Sequence, residues 1–167
     1  MAVKHTTIKN DFADIKKQLG IIDGTSVEVG VIKGENAWLA AIHEYGLDIA
    51  VTPKMRKFLA AHGLYLKKSM THIHIPERAF LRTGYDQNRD AVLAKASKLL
   101  ADVASGNMSA QACYEAVGLE LASKIRDYAV ELKDPPNHPF TKEQKGSSNP
   151  LVDSGDMIGG ITWRVAK

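Results

Sequence analysis

The chain has 167 residues, 44% of them hydrophobic and 25% charged, and a net charge of +3. This is enough chain for one globular domain with a real core, and too mild a charge to point by itself to nucleic acid. The only cysteine, Cys113, excludes an intramolecular disulfide framework and any multi-cysteine metal site, which fits a reducing compartment.

No apolar run approaches the roughly 20 residues of a bilayer span, so no membrane partner is expected. The start, MAVKHTTIKNDFADIKK, lacks the apolar region of a secretory signal. Phe12, Ile15 and Leu19 recur at helical spacing before Gly20, which predicts a short helix over 8–19. Val27, Val29 and Val31 alternate and predict a strand over 26–32. Asn36 is placed to cap a helix running through Trp38, Leu39, Ile42 and Tyr45 to Gly46. A strand over 49–52, ended by Pro53, and a second over 71–75 are expected to pair as a long-looped hairpin. Between them a helix over 54–66 turns Met55, Phe58, Leu59 and Leu66 inward.

The second half reads as helical. A helix is expected to begin over 77–83 and to continue from Asp86 to Ser105, and Gly106-Asn107 breaks it. Ser109 then caps a helix to about Leu132, so two long helices form an antiparallel hairpin. Residues 133–150 hold four prolines and few apolar side chains and read as a mobile, structureless arm. Ile161, Trp163 and Val165 alternate with polar neighbours as a last strand that closes the sheet. The expected fold is α+β: one domain over 1–167, with a small antiparallel sheet packed against helices that include the long hairpin.

Four features bear on chemistry. Asp153-Ser154-Gly155-Asp156 places a hydroxyl between two carboxylates, but no histidine or G-x-S-x-G elbow accompanies it. It reads as a turn into the last strand, with Gly159-Gly160 as the hinge. His72 and His74 share a strand face about 7 Å apart, a spacing that suits a metal, with His5, His43, His62 or His138 as a third ligand. No H-E-x-x-H pattern supports this, since position 47 is Leu, and the pair reads as solvent-facing. Gly24, Gly30 and Gly34 form neither G-x-G-x-x-G nor a P-loop. From Lys54 to Arg82, seven basic residues stand against one acid, Glu77, so the remainder of the chain is net acidic. That stretch reads either as a solvated helix face or as a face that meets DNA or an acidic protein partner.

The order of motifs carries a resemblance. Ala41-Ile42-His43-Glu44-Tyr45-Gly46 is followed by Thr52-Pro53-Lys54-Met55-Arg56-Lys57-Phe58-Leu59, then by Ile75-Pro76-Glu77-Arg78-Ala79-Phe80-Leu81-Arg82. Asn149-Pro150-Leu151-Val152-Asp153-Ser154-Gly155-Asp156-Met157, a glycine pair and a strand close the series. Over about residues 25–165 this resembles the virion morphogenesis proteins of tailed bacteriophages, the tail completion or neck proteins of the HK97 gene-10-like type. Ser154 and Asp156 depart from that pattern, where threonine and a residue such as arginine are usual.

The resemblance implies a structural protein without catalytic site, cofactor or metal. It implies an α+β subunit acting at the head–tail junction as a homo-oligomeric ring, with a hexamer as one copy number. The expected partners are further copies and neighbouring neck, connector or tail proteins. The location is the virion, with the host cytoplasm during assembly. The expected interface residues are Lys54, Arg56, Lys57, Arg78, Arg82, His138, Lys142 and Lys145, with Arg78 and Arg82 sharing a helix face toward acidic groups of a neighbour. The alternative expectation is a DNA-contacting accessory factor using the basic 54–82 face. Deleting 136–148 is expected to leave the fold intact and block assembly.

Overall fold

A computed structural model describes residues 12–166. The expected helix over 8–19 lies partly outside them, as does His5. Seven helices and four strands follow in the order α1 (Phe12–Ile22), β1 (Ser26–Val31), α2 (Glu35–Tyr45), β2 (Leu47–Ala50), α3 (Pro53–Ala61) and β3 (His72–Ile75), then α4 (Phe80–Ala104), α5 (Ala110–Glu131), α6 (Pro139–Lys145), α7 (Asp156–Gly159) and β4 (Ile161–Ala166). The class is α+β, with the long α4–α5 hairpin at its centre.

Two separate antiparallel sheets of two strands replace the single expected sheet. β1 pairs with β4, joining Val29 to Trp163 and Val31 to Ile161. β2 pairs with β3, joining Leu47 to Ile75 and Asp48 to His74. The last strand therefore returns to the first, and the expected long-looped hairpin forms as its own ribbon. β2 lies two residues earlier than its sequence suggested. Gly46, at φ 73, lets the chain leave α2 and enter the strand at once.

The core lies between α4, α5 and the β1–β4 ribbon. Phe80, Ile125 and Ile161 are fully buried there, joined by Ala122, Ala129 and Leu151. Small residues set how closely the layers approach. A Cβ on Gly84 would lie 3.3 Å from the Ile125 Cα, so the two long helices cross nearly backbone to backbone. A Cβ on Gly118 would lie 2.6 Å from the Trp163 ring, so that indole rests directly on α5. A smaller cluster of Val103, Ala110 and Cys113 packs at the far end of the hairpin with Ile22 of α1.

Both long helices are capped partly by other elements. Ser109 accepts from the Ala112 N–H as expected, while Gln18 of α1 accepts the Ala110 N–H at 2.8 Å. At α4 the sequence expectation changes: residues 76–79 are not helical, and the helix begins at Phe80 after Ala79 at φ 42. Asn36 is not a cap either, since it falls inside α2 after Gly34. Thr52 and Pro53 start α3 by a side-chain cap and a proline in the first turn, rather than simply ending a strand.

Residues 133–150, expected as a structureless arm, contain α6 and are tied to the body by hydrogen bonds. Asn149 donates from Nδ2 to the Val130 carbonyl at 2.7 Å and accepts at Oδ1 from the Leu151 N–H at 2.7 Å. Pro150 is fully buried. Composition disguised this because the order comes from side-chain amides and one buried proline, not from a periodic apolar face. Among the described residues no helix is long and apolar enough to cross a membrane.

Candidate functional site

Two places gather the residues that the sequence singled out: a polar junction where the motifs meet, and a groove beside the basic helix.

The junction is built on two buried ionic groups, Glu44 at 2% exposure and Arg78 at 5%. Helix α2 delivers Glu44 beneath the first turn of α4. Its carboxylate accepts the backbone N–H of Leu81 at 2.8 Å and of Arg82 at 3.1 Å, the orphan donors of a helix N-terminus. It also receives Arg82 Nε at 2.8 Å. Arg82 reaches on to the Glu44 carbonyl and to Glu77, and its guanidinium lies 4.9 Å from the Tyr45 ring centre. The hydrogen bond from Arg82 to Glu44 comes first among the causes that raise its pKa, so it is a fixed cation.

Arg78 is not on α4 at all. Its backbone N–H meets the His43 carbonyl at 2.8 Å, and its side chain joins three segments. It donates to His43 Nδ1 at 3.0 Å, to the Pro135 carbonyl at 3.0 Å and to Asn137 Oδ1 at 2.9 Å. Asn137 in turn donates to the Pro150 carbonyl. Burial, then the charges of Arg78 and Lys145, push the His43 pKa down to about 4. His43 is therefore neutral near pH 7 and accepts from Arg78, which puts its own proton on Nε2. Gly46 completes the junction: a Cβ there would meet the Ile75 carbonyl oxygen at 2.9 Å.

The second place is a groove of about 620 Å³ between α3, the 62–71 loop, β3 and α6. Arg56 shapes it, donating to the carbonyls of Leu66, Lys67, Lys68 and Met70 and so clamping the loop. Leu64, Leu66, Met70 and Phe140 line it, with His72, His74 and His138 at its border. His74 Nδ1 lies 2.8 Å from Asp48. His72 and His74 are solvent-facing, as the strand pattern suggested. Among the described residues no group of three or more His, Cys, Asp or Glu side chains is arranged to hold a metal.

The eight expected interface residues thus separate. Lys54 and Lys57 are exposed. Arg56, Arg78 and Arg82 bond to groups of their own chain, and the shared helix face assigned to Arg78 and Arg82 does not exist because Arg78 precedes α4. His138 caps α6 by accepting from the Phe140 N–H at 3.2 Å, and it borders the groove. Lys142 lies in the last turn of α6, and Lys145 donates to the Asn149 and Pro150 carbonyls. Burial leads the causes that lower the Lys145 pKa.

The sequence reading quoted Glu44 and Asn149 within motifs but gave them no role and missed Asn137, since all three look like surface polar residues until the fold encloses them. It also turned Phe58 inward, where it is 60% exposed beside His62. Asp153-Ser154-Gly155-Asp156 is a turn. Ser154 Oγ donates to the Asp156 carboxylate at 2.6 Å, and Gly155 at φ 92 leads into α7 and then β4. Comparison with family models, with curated proteins and with solved structures finds no match to this chain.

Proposed function

We propose that this chain is a phage structural protein that completes the tail or joins it to the head, assembling as a homo-oligomeric ring at the neck. The observation that carries this reading is the use made of the motif residues. His43, Glu44, Arg78, Arg82 and Asn149 come from the segments on which the resemblance rests, and each holds one element to another. Such a junction is what an assembly subunit needs: a body that keeps its shape while its surface is engaged.

The surface supports the same reading. Among the described residues each sheet has two strands, so every strand keeps one edge without a strand neighbour there. Trp38 is 68% exposed, Tyr45 67% and Tyr65 81%. Aromatic side chains of this kind are enriched where proteins bind one another.

The test is electron microscopy of lysates from a phage lacking the gene. Full heads separate from finished or malformed tails are expected. Whole normal particles would overturn the proposal. The DNA-contacting alternative draws on the exposed Lys54, Lys57, Lys67 and Lys68. It predicts salt-dependent binding to duplex DNA of random sequence.

A further inference from the structure

The groove beneath α6 combines three properties that the sequence does not display together. Its floor is apolar, formed by Leu64, Leu66, Met70 and Phe140. Beside it Lys67 and Lys68 project from the loop into solvent. None of the described residues that line the groove is acidic, and His74 at its border already holds Asp48 at 2.8 Å. The loop that carries the lysines is pinned at four carbonyls by Arg56, so much of the ordering cost of a binding edge is met within the free protein. Tyr65, 81% exposed, stands at the mouth.

We propose that this groove docks a segment of a partner protein that mixes acidic with apolar side chains. The apolar side chains enter against Leu66, Met70 and Phe140 and are covered by Tyr65. The carboxylates meet Lys67 and Lys68. The apolar floor decides between partners: a DNA duplex offers phosphates to the lysines but nothing to fill a greasy recess, whereas an amphipathic acidic segment satisfies both. This inference deepens the neck reading by naming what one of its surfaces takes. It also assigns the basic stretch differently from the sequence, because its arginines bond within the chain while Lys67 and Lys68 stand exposed beside the groove.

The experiment is a fluorescence anisotropy titration of the purified chain with a short labelled peptide of mixed leucine and glutamate. Controls replace leucine by serine, or glutamate by lysine, and a labelled random duplex DNA is run alongside. Saturable binding of the leucine–glutamate peptide alone is expected. Tyr65→Ser should weaken it by about tenfold, as should Lys67→Glu combined with Lys68→Glu. The charge-reversed protein should instead prefer the leucine–lysine peptide. Tyr65 is so exposed that its replacement leaves folding untouched, which a melting curve verifies.

Equal binding of the serine–glutamate peptide would overturn the proposal, leaving only charge attraction. So would no peptide binding, or duplex DNA binding that the lysine reversal abolishes. A self-associated chain that Tyr65→Ser dissociates, without peptide binding, would give the groove to a second copy. These results do not depend on any phage, so failure here leaves the microscopy outcome standing, and failure there leaves the groove's chemistry standing.

Discussion

Glu44 accepts the backbone N–H of Leu81 at 2.8 Å, and in doing so a side chain from α2 serves as the cap of α4. The helix has no side-chain cap of its own, because Ala79 occupies that position in a left-handed conformation. The carboxylate therefore carries two duties, satisfying the helix N-terminus and anchoring Arg82, from a site that is almost fully buried. Glu44→Gln removes the charge but leaves one oxygen, and is expected to cost roughly 1–3 kcal/mol; Glu44→Ala costs more. Urea unfolding measures both. Arg82→Ala should cost less than Glu44→Ala, because the two backbone donors still hold the carboxylate.

His43 gives the fold an acid-sensitive point. Its folded pKa, about 4, lies below the ordinary 6.5, so the unfolded chain takes up a proton that the folded chain refuses. Stability from this group is fully present above pH 6.5, falls as pH drops from there toward 4, and is level below it. The loss is at most about 3 kcal/mol, less where solvent reaches the ring. His43→Gln keeps an acceptor for Arg78 without titrating. Its unfolding free energy should show a shallower fall between those pH values than the unaltered chain.

Gly46→Ala joins two penalties. At φ 73 an L side chain costs roughly 1–2 kcal/mol, and its Cβ would press on the Ile75 carbonyl at 2.9 Å. A lowered melting temperature is expected, whereas Gly20→Ala on α1, where a Cβ meets nothing within 4 Å, should be harmless.

Gly118→Ala pushes on Trp163 from 2.6 Å and must displace the indole or the strand. A cost of about 1–3 kcal/mol is expected. In a Trp38→Phe background the emission of Trp163 reports the shift directly, moving to longer wavelength as the ring leaves α5.

Asn137→Ala takes one partner from the Arg78 guanidinium and one tether from Pro150. It is expected to cost about 1–3 kcal/mol and to speed limited proteolysis within 133–150. Deleting 136–148 removes Asn137 and Lys145 together, so the structure turns the expectation of an unaffected fold into one of measurable destabilisation.

The elements with strong periodicity were legible in the sequence. Val27, Val29 and Val31 make β1, the apolar spacing after Ser109 makes α5, and Ile161, Trp163 and Val165 make β4. Periodicity reports a face that meets the core, and such faces are written locally. The start of α4 was not legible, since its cap comes from 36 residues earlier in the chain. Nor was the order within 133–150, where the anchors are single polar side chains.

Charge was the least legible property. The sequence by itself determined that basic residues crowd 54–82 and that the chain is α+β with a long helical hairpin. Only the tertiary structure decided which charges are available to a partner. Arg56, Arg78 and Arg82 each found acceptors within the chain, because a guanidinium with five donors is readily satisfied by carbonyls and carboxylates that folding brings near. Lys67 and Lys68 remained in water at the edge of an apolar groove. A count of charges along a sequence is the same for both groups, and the distinction arises from the long-range contacts that place an acceptor beside one cation and open solvent beside another.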